Sequence, residues 1–91
     1  MYSYNIELKR TVFKILEDIR KSRPGYFRKI VEIINLLKYN PVPYQYVDVK
    51  KIKGYMNTYR IRVGNIRILY RIDRKSRSII IFDIGYRGKI Y

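Results

Sequence analysis

Two alternating runs, Tyr59-Arg-Ile-Arg-Val63 and Ile66-Arg-Ile-Leu-Tyr-Arg-Ile72, flank the dipeptide Gly64-Asn65. Two residues of that kind between alternating apolar runs close an antiparallel hairpin. With Gly64-Asn65 as the loop, the register follows. Val63 lies opposite Ile66, Arg62 opposite Arg67, Ile61 opposite Ile68 and Arg60 opposite Leu69. Side chains of a strand alternate between its two faces. One face therefore carries Tyr59, Ile61, Val63, Ile66, Ile68, Tyr70 and Ile72, and the other carries Arg60, Arg62, Arg67 and Arg71. Like charges directly opposite on a sheet cost roughly 0.2–1 kcal/mol per pair. A chain that sets Arg62 across from Arg67 presents an anion-binding surface or tolerates a cost.

The surrounding composition bears on that choice. The 91 residues hold 21 Lys/Arg and 7 Asp/Glu, a net charge of +14. Such an excess points to a polyanionic partner. Residues 1–46 hold nine Lys/Arg against four Asp/Glu, and residues 47–91 hold twelve against three. The hairpin lies in the more basic half. Hydrophobic residues make up 47% of the chain, enough for one modest core, so a single domain spanning residues 1–91 is expected. Cysteine and histidine are both absent. Thiolate chemistry and disulfides are thereby excluded, and the commonest general base and transition-metal ligand are missing. The start of the chain lacks the basic and apolar regions of a signal peptide, and the apolar runs are far too short to span a bilayer. A soluble cytoplasmic protein with no membrane association is expected.

The remaining pattern fills out a fold. Tyr4, Ile6 and Leu8 share one face of a short strand over Tyr2 to Leu8. Val12, Ile15, Leu16 and Ile19 form an apolar stripe on a helix from Lys9 to Lys21. Ser22 is placed to cap a second helix, with Pro24 in its first turn. That helix runs to about Tyr39 with Phe27, Ile30, Val31, Ile34 and Leu37 inward, and Asn40-Pro-Val-Pro43 stops it. From Val47 the period becomes two, with Lys50, Lys51 and Lys53 nearby. Gly54 to Asn57 and Asp73 to Arg77 read as turns on either side of the hairpin. Ser78 to Ile84 is apolar on both faces, as in a central strand. Gly85-Tyr-Arg-Gly-Lys-Ile-Tyr91 ends the chain, with Ile90-Tyr91 a possible last short strand. The expected fold is α+β, a small β-α-α-β-β-β(-β) domain. Its helical hairpin packs on one face of a mainly antiparallel sheet and leaves the arginine face open.

Arginine presents a planar fork of donors that matches phosphate oxygens and stacks on bases. Tyr55, Tyr59, Tyr70, Tyr86 and Tyr91 are interleaved with the cations, a combination suited to single-stranded RNA. The plainer alternative is a solvated face on a basic protein. Tyr59 and Tyr70 share parity with the apolar face and are expected in the core. Asp83 is expected to pair with an arginine.

The series Lys53-Gly54, Tyr59-Arg-Ile-Arg-Val63, Ile66-Arg-Ile-Leu-Tyr70 and Gly85-Tyr-Arg-Gly-Lys-Ile-Tyr91 resembles the RelE/ParE toxin superfamily of toxin–antitoxin systems. Within it the chain looks most like the compact archaeal RelE-like mRNA endonucleases. The resemblance covers nearly the whole chain. It implies catalytic residues at Arg60, Arg62, Arg67, Arg87 and Tyr91, with Lys50, Lys51, Lys53, Arg71 and Lys89 as RNA contacts. The first two catalytic positions are often lysine in the family and are both arginine here. Arginine stabilises charge and is a poor base.

The chemistry implied is attack by the RNA's own 2′-hydroxyl on the adjacent phosphate, which requires no metal or other cofactor. The enzyme must align the nucleotide, stabilise the pentacovalent phosphorus and move protons. Arg60, Arg62 and Arg67 would clamp phosphates, and Arg87 would stabilise developing charge. Tyr91, the adjacent chain-terminal carboxylate or Lys89 would serve as base. The resemblance further implies a type II toxin that cuts mRNA on the ribosome and inhibits translation. An acidic cognate antitoxin would wrap it in a hetero-oligomer. A ParE-like toxin that inhibits DNA gyrase without nuclease activity and a non-catalytic RNA-binding module are the alternatives on the same scaffold.

Overall fold

The structure is a computed structural model and describes residues 3–86. The order of elements is β1 (Asn5–Leu8), α1 (Arg10–Ser22), α2 (Pro24–Tyr39), β2 (Asp48–Lys51), β3 (Thr58–Val63), β4 (Ile66–Asp73) and β5 (Ser78–Tyr86). The five strands form one sheet in the order β1-β5-β4-β3-β2. All pairings are antiparallel except β1 with β5, which is parallel. Both helices pack on one face of this sheet, giving the α+β architecture the residue pattern predicts.

The hairpin register is the expected one, with Val63↔Ile66, Arg62↔Arg67, Ile61↔Ile68 and Arg60↔Leu69. Gly64 takes φ +58° in the loop, a left-handed conformation that glycine adopts without steric cost. A second constraint acts there. A Cβ on Gly64 would lie 2.5 Å from the Tyr26 hydroxyl and 2.8 Å from its ring. The first turns of α2 thus seat directly on the hairpin loop.

The core lies between the helices and the sheet. Val12, Leu16 and Ile19 of α1 and Ile30, Ile33 and Leu37 of α2 meet Ile61, Val63, Ile66 and Ile68. Fully burying each such side chain contributes roughly 1.5–3 kcal/mol. In α2 the deep positions include Ile33, while Val31, expected inward, is only half-buried. The buried stripe of α2 runs through Ile30, Ile33 and Leu37. Tyr59 and Tyr70 are core residues as expected, with ring centroids 5.7 Å apart. The Tyr70 hydroxyl donates to the Pro41 carbonyl at 2.7 Å. Burial pushes the Tyr70 phenol far above the ordinary tyrosine value.

The helix junction differs from the sequence expectation. Ser22 closes α1 rather than capping α2, because its hydroxyl donates to the Asp18 carbonyl at 2.8 Å. Arg23 holds the N-cap position of α2 without a side-chain cap bond, and Pro24 opens the helix. The Arg23 guanidinium instead lies 5.7 Å from the centre of the Tyr86 ring.

The register of β4 with β5 shifts between Leu69↔Asp83 and Tyr70↔Ile81. Phe82 is the extra residue, a β-bulge. The bulge lets Ile79, Ile81 and Ile84 all reach the core although their spacing breaks the period of two. It also turns Asp83 and Gly85 to the opposite face, where Ile80 already lies by ordinary alternation. The charged turn after β4 is pinned by the Asp73 carboxylate, which accepts the Lys75 and Ser76 N–H groups at 3.1 and 3.2 Å. The Ser76 N–H bond is the main reason its pKa is lowered.

Candidate nucleic-acid interface

The helices leave the second face of the sheet uncovered, and its residues are those of the opposite parity. Lys50 of β2 pairs with Arg60 of β3, and Arg62 pairs with Arg67 of β4. These four cations line one shallow depression of about 290 Å³. Of the expected RNA-contacting lysines, Lys50 joins the arginines. Lys51 has the opposite parity, and Lys53 follows the strand. Both line a neighbouring hollow beside Gly54, Tyr55 and Met56. Arg71 sits on the open face one rung beyond Arg60, opposite Thr58. Arg87, Lys89 and Tyr91, together with the possible last strand at Ile90-Tyr91, lie outside the described residues.

The cations are not equivalent. Arg60 is only 8% exposed, an unusual degree of burial for a charged residue. Arg62 keeps about half its side-chain surface in solvent, and Arg67 is half-buried. The difference follows from the lattice of the sheet. Arg60 is flanked by Lys50 on β2 and Leu69 on β4, whereas Arg62 lies beside the hairpin loop.

A carboxylate unforeseen from the residue pattern stands among them. Asp48 begins β2 opposite Arg62. Its Oδ2 lies 3.1 Å from Arg62 Nε and its Oδ1 lies 3.4 Å from Arg60 Nη2. A buried guanidinium needs such a partner, because desolvating an unpaired charge is costly. The alternation Asp48, Lys50, Ile52 is legible in the sequence and would have placed this carboxylate on the arginine face. Asp83 is expected to pair with an arginine, and Arg87 lies outside the described residues; within them, the Asp83 carboxylate accepts the Ile84 N–H at 2.9 Å. The bulge at Phe82 turns it back onto its own strand.

Chemically the depression is suited to an oxyanion. Three guanidinium forks and an ammonium converge on one concavity, each a donor of charge-assisted hydrogen bonds. The cross-strand pairing sets Arg62 opposite Arg67, a like-charge arrangement that an anion between them would favour. One anion, the Asp48 carboxylate, already relieves part of that repulsion from the edge strand.

A helical hairpin covering one side of a five-stranded mixed sheet, with basic residues concentrated on the bare side, is the architecture of the RelE toxins. The chain belongs to the RelE/ParE superfamily of type II toxin–antitoxin toxins. Residues 6–91 match the family model described as ParE toxin of type II toxin-antitoxin system, parDE. RelE1 of Methanocaldococcus jannaschii is 36% identical over 88 residues, 97% of this chain and 94% of that protein. Among solved structures, the RelE–RelB complex of Pyrococcus horikoshii contains a chain that superposes with a TM-score of 0.82 at 30% identity. That match covers 97% of this chain and 99% of the other. The RelB–RelE complex of Methanococcus jannaschii gives 0.70 at 35% identity, covering 93% and 94%.

Proposed function

We propose that this chain is a ribosome-dependent endoribonuclease that cuts mRNA by attack of the RNA 2′-hydroxyl on the adjacent phosphate, and so inhibits translation. The observation that carries the reading is the convergence of Lys50, Arg60, Arg62 and Arg67 on one depression. Arg62 and Arg67 hold the scissile phosphate and offset the charge that builds on it in the transition state. Arg60, more deeply set and tied to Asp48, stiffens the floor and contributes field more than direct contact. By family resemblance, Arg87 is assigned to the leaving 5′-oxygen, and Tyr91 or Lys89 to the attacking hydroxyl. No metal is called on in this scheme.

An acidic cognate antitoxin is the natural partner of a +14 chain. The relatives solved with RelB support this assignment, and the toxin would act as a single domain in the cytoplasm.

Primer extension on translated mRNA tests the reading. The wild-type chain should produce codon-associated cuts, and Arg67→Ala, with an unchanged circular dichroism spectrum, should abolish them. The family model's ParE description favours one competitor, a gyrase-inhibiting toxin. Gyrase inhibition without any cleavage in a translating extract would replace the nuclease reading with that one.

A further inference from the structure

The open face carries a second concavity that phosphate chemistry does not use. Beside the basic depression lies a groove of about 470 Å³ whose lining includes Ile52, Tyr55, Leu69, Ile80 and Phe82. It is mainly apolar, yet Lys9 and Arg71 stand on its lining as well. The parity pattern offers one clue to it. In the row Arg60, Arg62, Arg67, Leu69, Arg71, the single apolar residue is Leu69. The bulge at Phe82 supplies another, because it adds a residue to β5 where the strand borders this groove.

The two concavities are joined through one rung of the hairpin. Arg60 lines the depression, and its cross-strand partner Leu69 lines the groove. Successive same-face rungs of a strand are spaced by roughly 7 Å, close to the step between neighbouring phosphates of an extended RNA strand. A phosphate held at Arg62 and Arg67 therefore brings the next nucleotide over Leu69. Tyr55 is 67% exposed and Phe82 half-buried, so both rings are available at the groove. Aromatic rings among cations receive bases irrespective of their identity.

We infer that this groove is a nucleobase subsite. It accepts the base of the nucleotide adjoining the clamped phosphate, with Arg71 and Lys9 at its margin for the next phosphate. The occupant is single-stranded RNA, because the cations at the margin complement a polyanion and the rung spacing matches a nucleotide step. The inference rests on the proposed action on RNA.

The test uses a fluorescent hexanucleotide with 2′-methoxy groups, which lacks the attacking hydroxyl, and the same backbone with abasic sugars. Binding is followed by polarisation. The wild-type chain should hold the base-bearing strand about tenfold more tightly than the abasic one, the usual scale of one stacking contact. Tyr55→Ala and Phe82→Ala should each erode that ratio and leave abasic binding unchanged. Arg67→Ala should weaken both strands alike. Tyr55 is a surface residue, so its variant stays folded even if Phe82→Ala does not. A ratio near one in the wild-type chain, or a full ratio in Tyr55→Ala, overturns the subsite and leaves the phosphate clamp standing. Equal indifference of both strands to Arg67→Ala overturns the RNA reading itself.

Discussion

The two faces of one hairpin make the most instructive comparison in the molecule. Ile61, Val63, Ile66 and Ile68 look toward the helices and are buried. Arg60, Arg62 and Arg67, their immediate neighbours in the chain, look the other way. The helix side is held by apolar burial, which has no preferred direction but forbids a slip of register. The open side carries a like-charge pair at Arg62 and Arg67, and only some of its residues, Arg60 and Leu69 among them, are buried. The position of every arginine is therefore set by the isoleucine beside it. The apolar face carries the packing, and the proposed binding falls to the other.

Breaking the helix side should give the largest effect. Ile61 has no exposed surface, and Ile61→Ala should destabilise the fold by about 2–5 kcal/mol through lost transfer energy and a cavity. Arg62→Ala, one residue away, removes an exposed ion pair and should cost about 1 kcal/mol or less. Urea titration of the two variants measures the contrast directly. Equal losses would contradict the division of labour between the faces.

The hairpin loop is where the two faces meet, and its effect should come next. Gly64→Ala forces a left-handed φ on a residue with a side chain and drives a methyl group into Tyr26. A cost of roughly 1–3 kcal/mol is expected, read as a lower urea midpoint. RNA affinity should fall as well, because Arg62 lies two residues and Arg67 three residues from the displaced glycine.

How much of this was legible in the residues follows from which interactions are local. Alternation gave the hairpin register, and the helical stripes at Val12, Leu16 and Ile19 gave the covered face. Both are single-element periodicities, and a buried face enforces them. Ser22 escapes the residue pattern because a hydroxyl between two helices can serve either, and the Asp18 carbonyl one turn back on α1 takes it. The bulge at Phe82 left no trace, since an apolar run fits either parity. The groove and the Asp83 bond to Ile84 both depend on that bulge. Alternation puts Asp48 on the arginine face, but its partners depend on the loop between β2 and β3, which sets their register.

A smaller effect tests the boundary of the core. Tyr70 is buried and donates to Pro41, and its phenol is held protonated. The folded-state pKa is raised above the unfolded value of about 10. Its contribution is therefore fully present below that pH and is lost as pH rises beyond it. Tyr70→Phe should cost about 1 kcal/mol at neutral pH. The gap between wild type and variant should narrow in alkaline melts. A gap that stays constant to high pH would mean that the hydroxyl reaches water.

The smallest expected effect decides whether place or number of charges governs binding. Arg20 on α1 pairs with Glu17 at 3.0 Å, and both are well exposed. The pair lowers the Glu17 pKa, chiefly through its hydrogen bond. Arg20→Ala removes one positive charge from the chain, the same change in net charge as Arg62→Ala. If attraction to RNA came from the overall excess of cations, both variants would bind with the same loss. If the open face is the site, only Arg62→Ala releases a counterion fewer on binding. Its slope of log affinity against log salt should be shallower by about one, with Arg20→Ala superimposing on wild type in both slope and melting temperature. Such a null result on the helix side is informative because the two substitutions are electrostatically matched at long range. They differ only in which face of the sheet they address.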